Sequence, residues 1–147
     1  MKAIKLNSVS RWLIAALSGF LIIISFDSCS KKIAFDSSRV VPGAEGRVKI
    51  KKDKNKNYAI NISVKNLAEP DKLTPPMELY VVWMETERNG VRNLGQINIG
   101  TTILSSVKKG SLTATTPFKP VRFFITAEET GDVTHPGMDL IMTTKRF

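Results

Sequence analysis

One cysteine, Cys29, and one histidine, His135, are all the thiol and imidazole that 147 residues contain. A single cysteine excludes an internal disulfide, and a lone histidine without a cysteine partner cannot build a zinc site of three or four protein ligands. No helical hydrophobic period appears beyond the first 28 residues, and neither does an internal repeat or a low-complexity tract. Aromatic residues make up 7% of the chain, and none is interleaved with the lysines of the basic tract 47–57, so the base-stacking platform of a nucleic-acid binder is missing there. What is plentiful is positive charge: 22 Lys and Arg face 13 Asp and Glu, for a net charge of +9.

Lys2, Lys5 and Arg11 precede an apolar run from Trp12 to Ser25 that only Ser18 and Gly19 interrupt, and Ser28 and Cys29 follow. This is the three-part layout of a secretory signal peptide. The run is shorter than the roughly 20 residues of a spanning helix. A cysteine at its end resembles the lipobox of bacterial lipoproteins, where cleavage leaves the acylated cysteine as the new N-terminus. Phe26, Asp27 and Ser28 stand where the usual box has Leu, a small residue and Gly or Ala, and the looser form followed by Ser and Lys resembles Bacteroidetes lipoproteins. Ordinary secretory cleavage or a structural cysteine are the alternatives. On this reading residues 1–28 are a lipoprotein signal peptide, 29–39 a polar tether, and 40–147 one domain that remains basic without Lys2, Lys5, Arg11 and Asp27. Ser30 after the cysteine, with no acidic cluster behind it, resembles sorting to the periplasmic face of the outer membrane.

From Gly46 the hydrophobic period is two, the mark of half-buried strands. Val48 and Ile50 alternate with Arg47, Lys49 and Lys51; "DKNKN" (53–57) supplies a turn; Tyr58, Ile60, Ile62 and Val64 alternate on the return. Three prolines between Asn66 and Pro76 mark a loop. "MELYVVWMET" (77–86) is apolar on both faces at Tyr80 to Met84, as in a central strand covered on both sides. Asn89-Gly90 is a hairpin signal leading into Val91–Ile99. "TILSSV" and "SLTAT" flank Lys108-Lys109-Gly110 as a second hairpin turn, Val121–Glu129 is a further strand, and "MDLIMTTKRF" closes the chain. The expected fold is all-β: an antiparallel, immunoglobulin-like sandwich of about seven or eight strands preceded by an N-terminal signal helix.

"NLAEP" (66–70), "YVVWMETERNGVRNLGQI" (80–97) and "FFITAEETGDVTHPGMDLIM" (123–142) together resemble the extracytoplasmic β-sandwich domain of anti-sigma-K-factor type proteins. The similarity runs from Val40 to the C-terminus. It implies the sandwich and an envelope setting. The zinc-associated helical domain that grips a sigma factor has no counterpart here, so an envelope-stress or anti-sigma-related regulatory accessory is the most that the resemblance implies.

Candidate chemistry is sparse. His135 sits in the turn "THPG". Glu128, Glu129, Asp132 and Asp139 bracket the same loop, but acid–base work on a glycan needs two facing carboxylates and a calcium site six to eight oxygens. Adjacent Glu128 and Glu129 point to opposite faces of a strand. Trp83 is either a core residue or a carbohydrate-stacking platform. Lys49, Lys51, Lys52, Lys54 and Lys56 are the candidate ligand or membrane contacts, on the wet face and tip of their hairpin. The expectation is a non-catalytic envelope lipoprotein, lipidated at Cys29, whose sandwich is an interaction or structural module for an envelope protein. A binding module for anionic glycan or lipid is the alternative. No cofactor, metal or nucleic acid is implied.

Overall fold

Alternation builds the first sheet. In β2 (Glu45–Lys52) and β3 (Tyr58–Lys65) the residues Val48, Ile50, Ile60, Ile62 and Val64 are buried, while Arg47, Lys49, Lys51, Asn61, Ser63 and Lys65 between them are exposed. The computed structural model describes Val9, residues 30–101 and residues 108–147. The other strands described are β1 (Lys31–Ala34), β4 (Leu79–Thr86), β5 (Val91–Gln96), β6 (Asn98–Thr101), β7 (Lys108–Thr116), β8 (Pro120–Glu128) and β9 (Leu140–Thr143). They form two antiparallel sheets, ordered β1-β2-β3-β7-β6 and β5-β4-β8-β9. With β1 set aside, this is the A-B-E-D sheet of an immunoglobulin sandwich against a C′-C-F-G sheet. Tyr80, Val82, Met84, Phe123 and Ile125 from the second sheet meet Val48, Ile60, Ile62 and Val64 from the first in one continuous core.

Three details differ from the sequence expectation, and a fourth refines it. The stretch read as a tether contains β1, which pairs with β2 from Lys31↔Ile50 to Ala34↔Arg47. Phe35 follows it into the core and lies against Gly46, where a Cβ would come within 2.6 Å of its ring. Four residues with one half-buried apolar side chain, Ile33, are too short to show a period.

Lys108-Lys109-Gly110 is not a turn but the start of β7, paired on both sides with β3 and β6. The expected strand "TILSSV" (102–107), like Cys29 and all of the expected signal peptide but Val9, lies outside the described residues.

Val91–Ile99 is not one strand. β5 belongs to the second sheet and β6 to the first, and the chain crosses between them at buried Ile97, whose N–H donates to the Tyr80 carbonyl at 3.0 Å. The space for Ile97 comes from Gly110 on β7: a Cβ there would sit 2.4 Å from Ile97 Cγ2.

Trp83 is fully buried, but not in the main core. It points to the outer face of the second sheet, where it forms a small cluster with Val81 and Phe124 beneath Val133 of the β8–β9 loop.

Candidate functional site

The two outer faces of the sandwich are built differently. That of the second sheet is closed over. A bulge between Val82 and Trp83 brings Asn93 of β5 opposite Trp83, and the Asn93 amide donates to the carbonyls of Gly131 and Val133 at 3.0 and 2.9 Å, holding the loop down. Beneath it Trp83 Nε1 donates to Thr126 Oγ1 at 2.7 Å, Thr126 donates to Glu128 Oε1 at 2.5 Å, and the Gly137 N–H donates to the same oxygen at 2.8 Å. A stacking platform needs an open indole face, which Trp83 lacks at 0% exposure.

Glu128 is thus engaged in fastening the loop. Glu129 is exposed, and His135 is exposed with Nδ1 3.0 Å from Thr134 Oγ1. Glu128, Glu129 and Asp139 border one open pocket of about 300 Å³, but among the described residues no group of three or more His, Cys, Asp or Glu could hold a metal ion. Toward the other end of the same face, Glu85 lies between two guanidinium groups. Arg146 pairs with Oε1, and Arg122 Nε lies 2.8 Å from Oε2, out of line for a hydrogen bond. These partners, Arg146 first, hold the Glu85 carboxyl below its ordinary value against the opposing effect of burial.

The outer face of the first sheet is open. Period-two alternation puts Lys32 of β1, Arg47, Lys49 and Lys51 of β2, Lys65 of β3 and Lys109 of β7 on it, all exposed. Glu45 is the one acidic side chain of this face among the described residues, and none of the six cations forms an ion pair there. Asn61, Ser63, Ser111, Thr113 and Thr115 fill the spaces between, and Thr113 Oγ1 donates to Asn61 Oδ1 at 3.0 Å. Two cross-strand pairs set like charges directly opposite, Lys32↔Lys49 and Lys65↔Lys109. Such pairs destabilise a sheet. A shallow groove of about 430 Å³ runs along β1 and β2 on this face, lined by Lys32, Ala34, Arg47, Lys49 and Ser63 among others.

Of the five lysines singled out from sequence, only Lys49 and Lys51 lie on this face. Lys52 has the opposite parity, and its ammonium sits 5.6 Å from the Tyr58 ring centroid. Lys54 and Lys56 are exposed in the turn, which Asp53 braces by accepting from the Asn57 N–H at 2.8 Å. Lys32, Lys65 and Lys109 were missed as partners. The outward parity of Lys65 follows from the alternation of its own strand, but its adjacency to Lys109 depends on a pairing 44 positions apart that no local pattern reveals.

No helix among the described residues is long and apolar enough to cross a membrane. No protein family, curated protein or solved structure matches the chain.

Proposed function

We propose that this chain is a non-catalytic envelope lipoprotein, anchored through Cys29 at the periplasmic face of the outer membrane, whose sandwich is an interaction module for an anionic glycan. The observation that carries the binding reading is the open basic face: six exposed cations with one carboxylate, spaced by hydroxyl and amide side chains. Acidic groups on a polymer would relieve the repulsion of the Lys32–Lys49 and Lys65–Lys109 pairs, and the Ser, Thr and Asn side chains offer donors and acceptors to sugar hydroxyls. The anchor and the location rest on the signal-like leader and the lipobox resemblance.

The test is retention of the protein on acidic and neutral glycans across a salt series. Binding to the acidic glycan that falls steeply with salt, and is lost in Lys49→Glu/Lys109→Glu, supports the reading. Equal retention on both glycans would sink it. Mass spectrometry of protein purified from cell membranes tests the anchor, since an unacylated N-terminus other than Cys29 excludes it.

A protein partner is the second reading, favoured by Met138, fully exposed in the β8–β9 loop, and Leu140, 48% exposed on edge strand β9. Salt-insensitive capture of one envelope protein would shift the assignment there. A regulatory accessory role rests on the resemblance to anti-sigma-K-factor type domains alone.

A further inference from the structure

Charge is distributed unevenly along the strands. β1 starts at Lys31 and runs antiparallel to β2, with Lys31 opposite Ile50, so it begins at the end of the sandwich where β2 turns into β3. The β7–β8 connection lies at this same end, because Tyr58 faces Thr116, and Phe147 returns to it, donating its N–H to the Val121 carbonyl at 3.0 Å. Lys31, Lys52, Lys54, Lys56, Arg88 and Lys119 are exposed there. The carboxylates in its turns are occupied: Asp53 braces its own turn, and Glu87 pairs with Lys119 at 2.7 Å. At the opposite end, about 26 Å away along strands of eight residues, Glu69, Asp71, Glu78, Glu129, Asp132 and Asp139 outnumber Arg39, Lys72 and Lys108, of which Lys72 pairs with Asp71 and Lys108 with Glu69. The domain is a charge dipole whose positive end is the one where Lys31 enters the fold.

Between the cations of the positive end lies a cleft of about 210 Å³. Ile50, Tyr58, Pro120 and Phe147 provide apolar surface, and Lys31, Lys52 and Lys119 stand around it. The Lys31 ammonium is 4.4 Å from the Phe147 ring centroid and that of Lys52 is 5.6 Å from Tyr58. Ammonium groups over apolar walls suit a phosphate attached to an apolar body.

We infer that this end docks on an anionic phospholipid surface, with a headgroup phosphate at the cleft between Lys31 and Lys52, beside the Glu87-paired Lys119. The inference rests on the proposed acylation of Cys29, which lies two positions before Lys31 and so within about 7 Å of chain from it. A lipid anchor at one residue tethers the domain without fixing its orientation, and a polybasic patch beside it adds attraction to anionic headgroups that orients it. The strands then stand upright on the bilayer. The acidic end points away, and the basic sheet face stands to the side, free for its glycan.

The test uses protein purified from cell membranes and placed in phosphatidylcholine vesicles with or without phosphatidylglycerol, with acetylation of each lysine followed by mass spectrometry. The expected result is severalfold slower acetylation of Lys52, Lys54 and Lys56 on the anionic vesicles, reversed in about 0.5 M salt where the screening length is about 4 Å, and unchanged rates at Lys65 and Lys109. In Lys54→Glu/Lys56→Glu, two exposed turn positions, the slowing at Lys52 should vanish. Equal rates on both vesicles, or slowing at Lys65 and Lys109 instead, overturns docking by this end. The intact mass of the same sample separates the two readings. If Cys29 proves unacylated, the anchor fails by itself, and sedimentation of the protein with the same vesicles then decides docking. Phosphatidylglycerol-dependent sedimentation lost in the double variant supports it, and sedimentation indifferent to lipid charge overturns it.

Discussion

Lys32 on β1 and Lys49 on β2 stand directly opposite one another on the open face of the first sheet, with no carboxylate paired to either among the described residues. Side chains so placed have Cβ atoms about 5 Å apart, where like charges work against the sheet. Retaining both lysines costs stability, which is understandable if the face serves an anion.

Converting this pair to an ion pair should therefore separate stability from binding. Lys49→Glu is expected to stabilise the domain by about 0.2–1 kcal/mol while weakening retention on acidic glycan. Urea denaturation with an unchanged slope and a raised midpoint checks the first part, and the salt series checks the second. A destabilised variant with intact retention would contradict both.

Phe35 tests whether the segment ahead of β2 is part of the fold. It is 8% exposed and packed against Gly46. Phe35→Ala should cost about 3–5 kcal/mol, as loss of a core phenyl does. A loss within experimental error would return this segment to the status of a tether.

Thr126 joins Trp83 to Glu128 beneath the β8–β9 loop. Thr126→Val keeps the shape but leaves Trp83 Nε1 without that acceptor and Glu128 without one donor, at an expected cost of about 1–3 kcal/mol. Faster amide exchange at Gly137, whose N–H depends on Glu128, is the local sign to look for. Unchanged exchange there would mean the network does not hold the loop.

Gly110 and Ile97 share one space where the chain changes sheets. Gly110→Ala should cost about 1–3 kcal/mol through overpacking, and Ile97→Ala about 2–5 kcal/mol through a cavity. In the double variant the added methyl occupies part of that cavity, so the combined loss should be smaller than the two losses together. Additive losses would show that the two sites do not interact.

The Glu85 ion pairs predict the acid limb of stability. The folded carboxyl titrates below its ordinary value of 4.5, chiefly because of Arg146. A depressed folded value means that the pairs contribute fully above the unfolded value and that the contribution is lost as pH falls through the folded one. Glu85→Gln should cost about 1 kcal/mol or less at neutral pH, since both arginines are partly exposed. The difference from the parent should disappear in acid. A gap that persists well below pH 4 would assign the loss to packing instead.

Much of the fold is legible in β2, β3 and β4. Alternation at Val48–Lys51 and Tyr58–Lys65 identifies one wet face, and the doubly apolar run Tyr80–Met84 identifies a central strand covered on both sides. The same reading stops short at Trp83: an apolar side chain on a covered strand is recognisable as buried, but the sequence does not say under which layer. Lys108-Lys109-Gly110 misleads because a glycine after polar residues is common in turns, whereas here the glycine is needed for Ile97, thirteen positions earlier.

The sequence by itself determined that this is an all-β domain, which residues of β2 and β3 face outward, and that the chain is basic, because period-two alternation and charge are local properties. Only the tertiary structure decided that β1 belongs to the sheet, that the chain changes sheets at Ile97, that the β8–β9 loop closes over Trp83, and that lysines from four strands share one face while others gather at one end. Each of these depends on which strand lies beside which and in what register, and those choices are made by packing between residues far apart in the chain.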